Sequence, residues 1–372
     1  MTISIIGSRG YPYVYSGYET FVKELSERLV KKGYHVKIYC HKNLFSERPP
    51  TVNGIELVYL PTIETKSLSQ LIHSCLSMIH ACTSGSDIIL AVNAANGPWG
   101  LISTLFRKKT LINVDGMEWL RPKWKGLGAK YFRMAAWLST KLYNRVITDA
   151  EAMREVYLEE FKAESTVIAY GAEPRYAQKP ELLEAFALEP YSYYLIVGRL
   201  IPDNNVALLL EGYQAAQSGK KLVVVGDVPY QDEYARKMKA KANADILFLG
   251  YITNSEILAE LYHHCYAYLH GHEFGGTNPT MLKAMAYGCA ILAIDTRFSR
   301  EMLQDGRFGL LFQKSPQSVA ALMQQSEQNN DLINNLRQHA REGLGEKYNW
   351  DQVTEAYIRV FKELQRNGKK SL

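Results

Sequence analysis

The densest chemistry in the chain lies at residues 271–288, Gly-His-Glu-Phe-Gly-Gly-Thr-Asn-Pro-Thr-Met-Leu-Lys-Ala-Met-Ala-Tyr-Gly. Glu273 offers a carboxylate, Gly275 and Gly276 let backbone approach a ligand closely, and Pro279 fits the first position of a helix, where its missing N–H costs nothing. The N–H groups of that first turn and the positive end of the helix dipole attract anions, so the segment suits a sugar diphosphate. It also describes an ordinary glycine turn into a core helix. Arg199, in Val-Gly-Arg-Leu-Ile-Pro-Asp-Asn-Asn after an apolar run, adds a guanidinium whose planar fork binds two phosphate oxygens at once. A strand-end arginine equally serves a surface ion pair. Asp115 follows a third apolar run, with Glu118 nearby, and could orient or polarise a hydroxyl. Asp115-Gly116 also reads as a tight turn.

The elements that position these groups follow from hydrophobic periodicity. Residues 3–6 read as a buried strand running into Gly7-Ser8-Arg9-Gly10-Tyr11-Pro12. After Ser16-Gly17-Tyr18-Glu19-Thr20, a helix with the stripe Phe21, Val22, Leu25, Leu29 and Val30 ends at Gly33, and a strand begins at His35. This is a βαβ opening with a glycine loop at the carboxyl end of the first strand, where open parallel sheets bind ligands. The glycines lack the G-x-G-x-x-G spacing of a dinucleotide fingerprint. Strand, loop and helix alternate again through residues 55–60, 88–92, 110–114, 146–148 and 166–169, and then through 194–197, 222–225, 246–249, 267–269 and 290–294. The expected class is therefore α/β, with two similar halves at 1–172 and 173–349, and an interdomain connection in the proline-bearing residues 173–191.

Composition narrows the setting. The 372 residues are 47% hydrophobic and 22% charged, enough for two domain cores. Cys40, Cys75, Cys82, Cys265 and Cys289 show neither metal spacing nor a disulfide framework, which fits a reducing cytosol. No signal peptide is expected before the first strand, and no apolar run reaches bilayer length, so membrane contact is expected to be peripheral. Residues 107–145 hold ten basic side chains against Asp115 and Glu118, interleaved with Trp119, Trp124, Tyr131, Phe132 and Trp137. Such a segment suits an anionic membrane surface and a lipid-diphosphate acceptor, or is simply a solvated basic face. Nucleic acid is not expected, since no recognition motif accompanies the patch.

Taken together, these segments resemble the retaining nucleotide-sugar transferases of glycosyltransferase family four, over nearly the whole chain. The finer string Gly7-Ser8-Arg9-Gly10-x-Pro12, Tyr18-Glu19-Thr20-Phe21-Val22, Asn93-Ala94-Ala95-Asn96-Gly97, Val114-Asp115-Gly116-Met117-Glu118-Trp119, Ala169-Tyr170-Gly171-Ala172, Asp203-Asn204-Asn205 and Gly275-Gly276-Thr277-Asn278-Pro279 is similar to the bacterial rhamnosyltransferases that build capsule and cell-wall polysaccharides. The resemblance implies a GT-B fold, two Rossmann-like domains facing each other across a cleft, with the helix at 350–372 returning to the first. It implies donor contacts from Gly17, Arg199, Asn205, Gly275, Gly276, Thr277, Asn278 and Lys283 in a dTDP- or UDP-sugar site. On the acceptor side it implies Arg9, Tyr18, Glu19, Asn96, Glu118 and Arg121, with Asp115, Arg199 and Glu273 catalytic. The implied acceptor is a lipid-linked saccharide on the cytoplasmic face of the membrane.

A retaining transfer must stabilise a departing diphosphate and a cationic sugar carbon, and fixed positive groups do most of that work. The chain contains no D-x-D pair, the usual carboxylate site for a metal, so no metal and no cofactor are expected. Two departures from the family stand out. Asn204 and Asn205 stand where a lysine often follows the arginine, and Lys283 stands where a glutamate accepts the ribose hydroxyls. Lysine accepts no hydrogen bond. Three readings stay open: a glycosyltransferase moving L-rhamnose, a binding or regulatory subunit with a degenerate donor site, and a sugar-nucleotide epimerase of the same fold.

Overall fold

The computed structural model describes residues 1–12, 17–63, 69–122, 124–228 and 232–367. Ser16, Lys123 and the end of the segment 350–372 lie outside the described residues. The chain forms two compact units, Met1–Gly171 with Asn349–Leu372, and Ala172–Tyr348.

In the first unit, strands β1 (Thr2–Ile6), β2 (His35–His41), β3 (Thr51–Val52), β4 (Ile55–Leu60), β5 (Ile88–Val92), β6 (Lys109–Val114), β7 (Arg145–Thr148) and β8 (Thr166–Val167) form one sheet in the order β3-β4-β2-β1-β5-β6-β7-β8. All neighbours are parallel except β3 and β4. The two-residue β3 was not legible as a strand; it pairs back through Asn53 and Gly54, whose φ values of 51° and 77° make the tight hairpin turn that such a dipeptide favours. The unbroken apolar run of β5 is buried on both faces, as a covered parallel sheet requires, and β1 is buried from Ile3 to Ile6 with Ser4 among its apolar residues. Helices α1 (Gly17–Lys31), α2 (Ser69–Thr83), α3 (Gly100–Leu105), α4 (Leu127–Leu142) and α5 (Glu151–Phe161) connect them. Phe21, Val22, Leu25 and Leu29 of α1 are buried, while Val30 is half-buried at the edge of the stripe. The last helix, Trp350–Asn367, packs on α1. Gly171 meets it so closely that a Cβ there would lie 2.5 Å from the Trp350 ring.

In the second unit, β9 (Tyr193–Val197), β10 (Lys221–Val225), β11 (Ile246–Gly250), β12 (Ala267–His270), β13 (Ile291–Ile294) and β14 (Leu310–Phe312) form an all-parallel sheet in the order β11-β10-β9-β12-β13-β14. The three-residue β14 escaped the sequence because it is too short to show a period. Its core joins Tyr194 and Ile196 of β9 to Val224, Leu269, Leu292 and Phe312. Residues 173–191, expected as a connection, belong to this unit: the short helix Pro180–Phe186 packs against helix Ser255–His263 and buries Leu183 completely.

Both sheets reverse strand order between two adjacent strands, β1 and β5 in the first and β9 and β12 in the second. The loops leaving the carboxyl ends of such a pair splay apart and open a crevice, which is where ligands bind in open α/β sheets. The glycine loops singled out by the sequence leave β1, β9 and β12.

Candidate active site

In the first unit the loop after β1 lies flat against the end of β5. A Cβ on Gly7 would stand 2.4 Å from the Val92 carbonyl oxygen and 2.6 Å from the Asn96 amide, and φ there is +96°. Glycine is therefore required at this turn. Glu19, buried near the start of α1, accepts the Arg9 backbone N–H at 3.3 Å and so braces the loop. Asn96 has no exposed surface and gives its amide to the Val92 carbonyl at 2.6 Å. Its place is structural, and the expectation that it touches the acceptor is withdrawn for want of access.

Asp115 follows β6. Tyr18 of α1 donates its hydroxyl to one carboxylate oxygen, and the Tyr170 hydroxyl lies 3.1 Å from the other. Tyr170 also lies 3.1 Å from the Asn113 side-chain oxygen, and the Asn113 amide donates at 2.9 Å to Tyr357 of the last helix. Burial pushes the Asp115 carboxyl up to about 6, opposed by the two hydroxyls and the Arg121 cation and assisted by the Glu118 charge. Both tyrosines are held protonated, first by burial and then by the Asp115 charge. Glu118 is buried and committed: Arg121 Nε lies 2.8 Å from one oxygen and Trp124 Nε1 donates to the other at 3.0 Å. The sequence reading missed Asn113 and Tyr357 as members of this network. Strand parity marked Asn113 only as a polar residue in an apolar strand, and Tyr357 lies far away in sequence.

In the second unit Glu273 accepts Lys314 Nζ at 2.6 Å and the Asn205 amide at 3.2 Å. The same amide reaches the Gly271 carbonyl at 2.9 Å, and Asn204 donates to the Arg199 carbonyl at 2.8 Å. Asn205 thus ties the loop after β9 to the loop after β12, and Asn204 braces the first of these within itself. Arg199 is exposed and its side chain makes no ion pair among the described residues. Lys314, just past β14, supplies a cation that the sequence reading did not find, because nothing local links it to Glu273. His270 and His272 stack with ring centroids 4.7 Å apart and, with Gly275, Gly276 and Met302, line a small hollow. Burial holds His270 neutral, down to about 3. Thr277 is buried within the loop, and Gly17 opens α1 in the first unit.

One expectation needs correcting. The helix Pro279–Tyr287 does not present a bare N-terminus, because the Asn278 side chain accepts the Thr280 and Met281 N–H groups at 3.0 and 3.4 Å. With proline lacking a donor, the first turn is capped, and the dipole rather than free N–H groups is what remains for an anion. Lys283 is exposed on this helix, yet protein crowding and then the Arg175 cation hold its pKa below the ordinary lysine value. Among the described residues no group of three His, Cys, Asp or Glu side chains is placed to hold a metal ion.

Comparison with known proteins gives a family match for part of the chain and a likeness of fold over nearly all of it. Residues 178–343 match the family Glycosyl transferases group 1, and residues 68–173 match a domain of unknown function, DUF1972. The chain superposes on sucrose-phosphate synthase from Thermosynechococcus elongatus with a TM-score of 0.82 at 18% identity, covering 98% of both chains. The HepE protein of Anabaena in complex with UDP-glucose gives 0.77 at 14% identity, over 97% of this chain and 99% of that one. The fold is therefore GT-B, two Rossmann-like domains. The glycosyl transferases group 1 match falls within the second unit, and the chain spans less than half the length of the curated relatives it matches. Among curated relatives it is 30% identical over 132 residues to the Campylobacter jejuni N-acetylgalactosamine-N,N'-diacetylbacillosaminyl-diphospho-undecaprenol 4-alpha-N-acetylgalactosaminyltransferase, a match spanning 35% of each chain.

Proposed function

We propose that this protein is a retaining glycosyltransferase that moves L-rhamnose from a thymidine diphosphate donor to a lipid-linked saccharide in surface polysaccharide synthesis, at the inner face of an anionic membrane. The observation that carries the transfer is Asp115, a carboxylate enclosed between two tyrosine hydroxyls at a strand end, with its pKa close to 6. At neutral pH it is ionised and accepts the hydrogen bond, and then the proton, of an acceptor hydroxyl as that oxygen bonds to the sugar carbon. The bond from that carbon to the diphosphate breaks on the same face. Arg199 meets the charge that leaves, and Glu273, oriented by Lys314 and Asn205, contacts the donor sugar.

The lipid-linked acceptor is supported by the name of the Campylobacter jejuni relative, a diphospho-undecaprenol-saccharide transferase. The nucleotide-sugar donor is supported by the UDP-glucose bound in the HepE structure. Rhamnose and thymidine rest on the motif string and on Lys283: a deoxyribose offers one hydroxyl where ribose offers two, so loss of the glutamate costs a thymidine nucleotide less. A panel of nucleotide sugars read by thermal stabilisation tests the donor, since a ligand bound only by the folded state raises stability by mass action. The expected result is selective stabilisation by the thymidine donor and turnover with a lipid-linked acceptor. Lys283 also favours a second reading, a non-catalytic binding subunit. Donor binding without transfer would establish that reading, and donor turnover with no acceptor present would point instead to an epimerase.

A further inference from the structure

The basic and aromatic segment that pointed to a membrane folds differently from a simple docking strip. Trp119 is buried, Trp124 is bonded to Glu118, Phe132 packs on Trp124 at 4.7 Å, and the Tyr131 hydroxyl donates to the Ala95 carbonyl at 2.9 Å. Arg121 is paired with Glu118, and Lys123 lies outside the described residues. What reaches the surface comes instead from three neighbouring helices. α2 and α3 contain no charged residue, and α4 contains Lys130, Arg133 and Lys141 with no acid.

These helices pack side by side, α2 on α3 and α3 on α4. The last contact is close: a Cβ on Gly100 would stand 2.6 Å from Leu142. Along α4 the exposed positions are Leu127, Lys130, Arg133, Met134, Trp137 and Lys141; all but Arg133 form one stripe at three- and four-residue spacing in which apolar and cationic residues are mixed. Leu127 is 85% exposed. α3 continues the surface with Leu101 and Leu105, the latter 75% exposed, and Phe106 follows. α2 adds Leu76 and Ile79. Scattered exposed leucines need no account, but a contiguous apolar face does.

Charge selects the occupant. Arg107, Lys130 and Lys141 are exposed and make no ion pair among the described residues. Only Arg133 is neutralised, by Glu160 of α5 at 2.9 Å, and α5 presents Glu151, Glu155, Glu159 and Glu160 to solvent, which marks the border of the face. We propose that the outer face of α2, α3 and α4 is the surface by which this protein lies on an anionic lipid bilayer, with Leu101, Leu105, Phe106, Leu127 and Trp137 entering the headgroup boundary and Arg107, Lys130 and Lys141 meeting lipid phosphates. The inference rests on the proposed membrane-side function and names the surface that carries it. No helix among the described residues is long and apolar enough to span a membrane, so the contact is in-plane.

The test is flotation of the full chain with vesicles of phosphatidylglycerol and phosphatidylcholine, against phosphatidylcholine alone, with tryptophan emission recorded in parallel. Binding to the anionic vesicles and a blue shift that is lost in Trp137→Ser are expected. Leu105→Glu with Phe106→Glu should weaken binding at least tenfold. Arg107→Ala, Lys130→Ala and Lys141→Ala together should weaken it by on the order of a hundredfold, at about fivefold per cation near the surface. Donor binding by calorimetry, which needs no membrane, should stay unchanged in all variants and shows that they fold. Equal binding to neutral vesicles, no binding by the parent protein, or face variants that bind as the parent does would overturn the assignment. So would a concentration-dependent dimer that the same variants dissolve. Failure of donor binding with intact flotation would instead sink the proposed transfer and leave this surface standing.

Discussion

The two carboxylates at the strand ends are held in opposite ways. Asp115 is clasped by neutral hydroxyls in an enclosed setting, and the nearest cation, Arg121, is committed to Glu118. Glu273 is half-buried and meets a lysine ammonium and an amide directly. Burial without a dedicated counter-ion raises a carboxyl pKa, so Asp115 stays close to exchanging a proton at neutral pH. A carboxylate in an ion pair is fixed in orientation instead. On the proposed mechanism, the contrast gives proton handling to the first unit and positioning to the second.

The largest effect that could break this contrast is Asp115→Asn. If Asp115 takes the acceptor proton, turnover should fall by roughly 10²–10⁴-fold. The same change should stabilise the protein. The folded pKa of about 6 lies above the ordinary 3.8, so this group's contribution is fully present below pH 3.8 and is lost as pH rises through 6. At pH 7.5 the asparagine variant should therefore gain on the order of 2 kcal/mol in denaturant unfolding. A variant that is neither slower nor more stable would remove Asp115 from the mechanism.

Arg199→Ala comes next, with a loss of about 3 to 4 kcal/mol of transition-state stabilisation at unchanged fold, and chelator should leave the parent rate alone. Near-normal turnover would return Arg199 to a surface role. A matched pair then sharpens the comparison. Tyr170→Phe removes a donor to the Asp115 carboxylate, so its pKa should rise beyond 6 and the acid limb of the pH–rate profile should move to higher pH. Lys314→Met should leave that limb in place and cost no more than about 1 kcal/mol, because the pair is half-exposed. If both variants move the limb, or neither does, the two carboxylates are not differently tuned. The smallest effect expected is at Lys283: the parent should bind thymidine diphosphate at least as well as uridine diphosphate, and Lys283→Glu should shift preference to the ribonucleotide by calorimetry. A strong parental preference for uridine would make the donor assignment wrong.

Much of this was legible in sequence where periodicity is long and punctuation strong. The strand at 88–92 and the helix opening at Pro279 stand where the apolar runs and the proline put them. β3 and β14 were not legible, since two or three residues carry no period. Asn278 misled because a capping asparagine and an open anion site look alike until the side chain's direction is known. Trp124 and Tyr131 misled similarly: composition reports aromatics beside cations, and only packing tells which ones turn inward. The link from Asp115 through Tyr170 and Asn113 to Tyr357 joins the loop after β6, the residues after β8, β6 itself and the last helix, a closure that no local rule can see.

That closure bears on how the first unit is held together. The second unit is one continuous stretch, Ala172–Tyr348, whereas the first is built from two, Met1–Gly171 and Asn349–Leu372. Without Tyr357 the Asn113 amide would lose its partner, and Phe21, which packs on both Tyr170 and Tyr357 at 5.1 and 5.4 Å, would lose one of the two rings. The network around Asp115 is therefore completed by a segment that the whole of the second unit separates in sequence from the rest of the first.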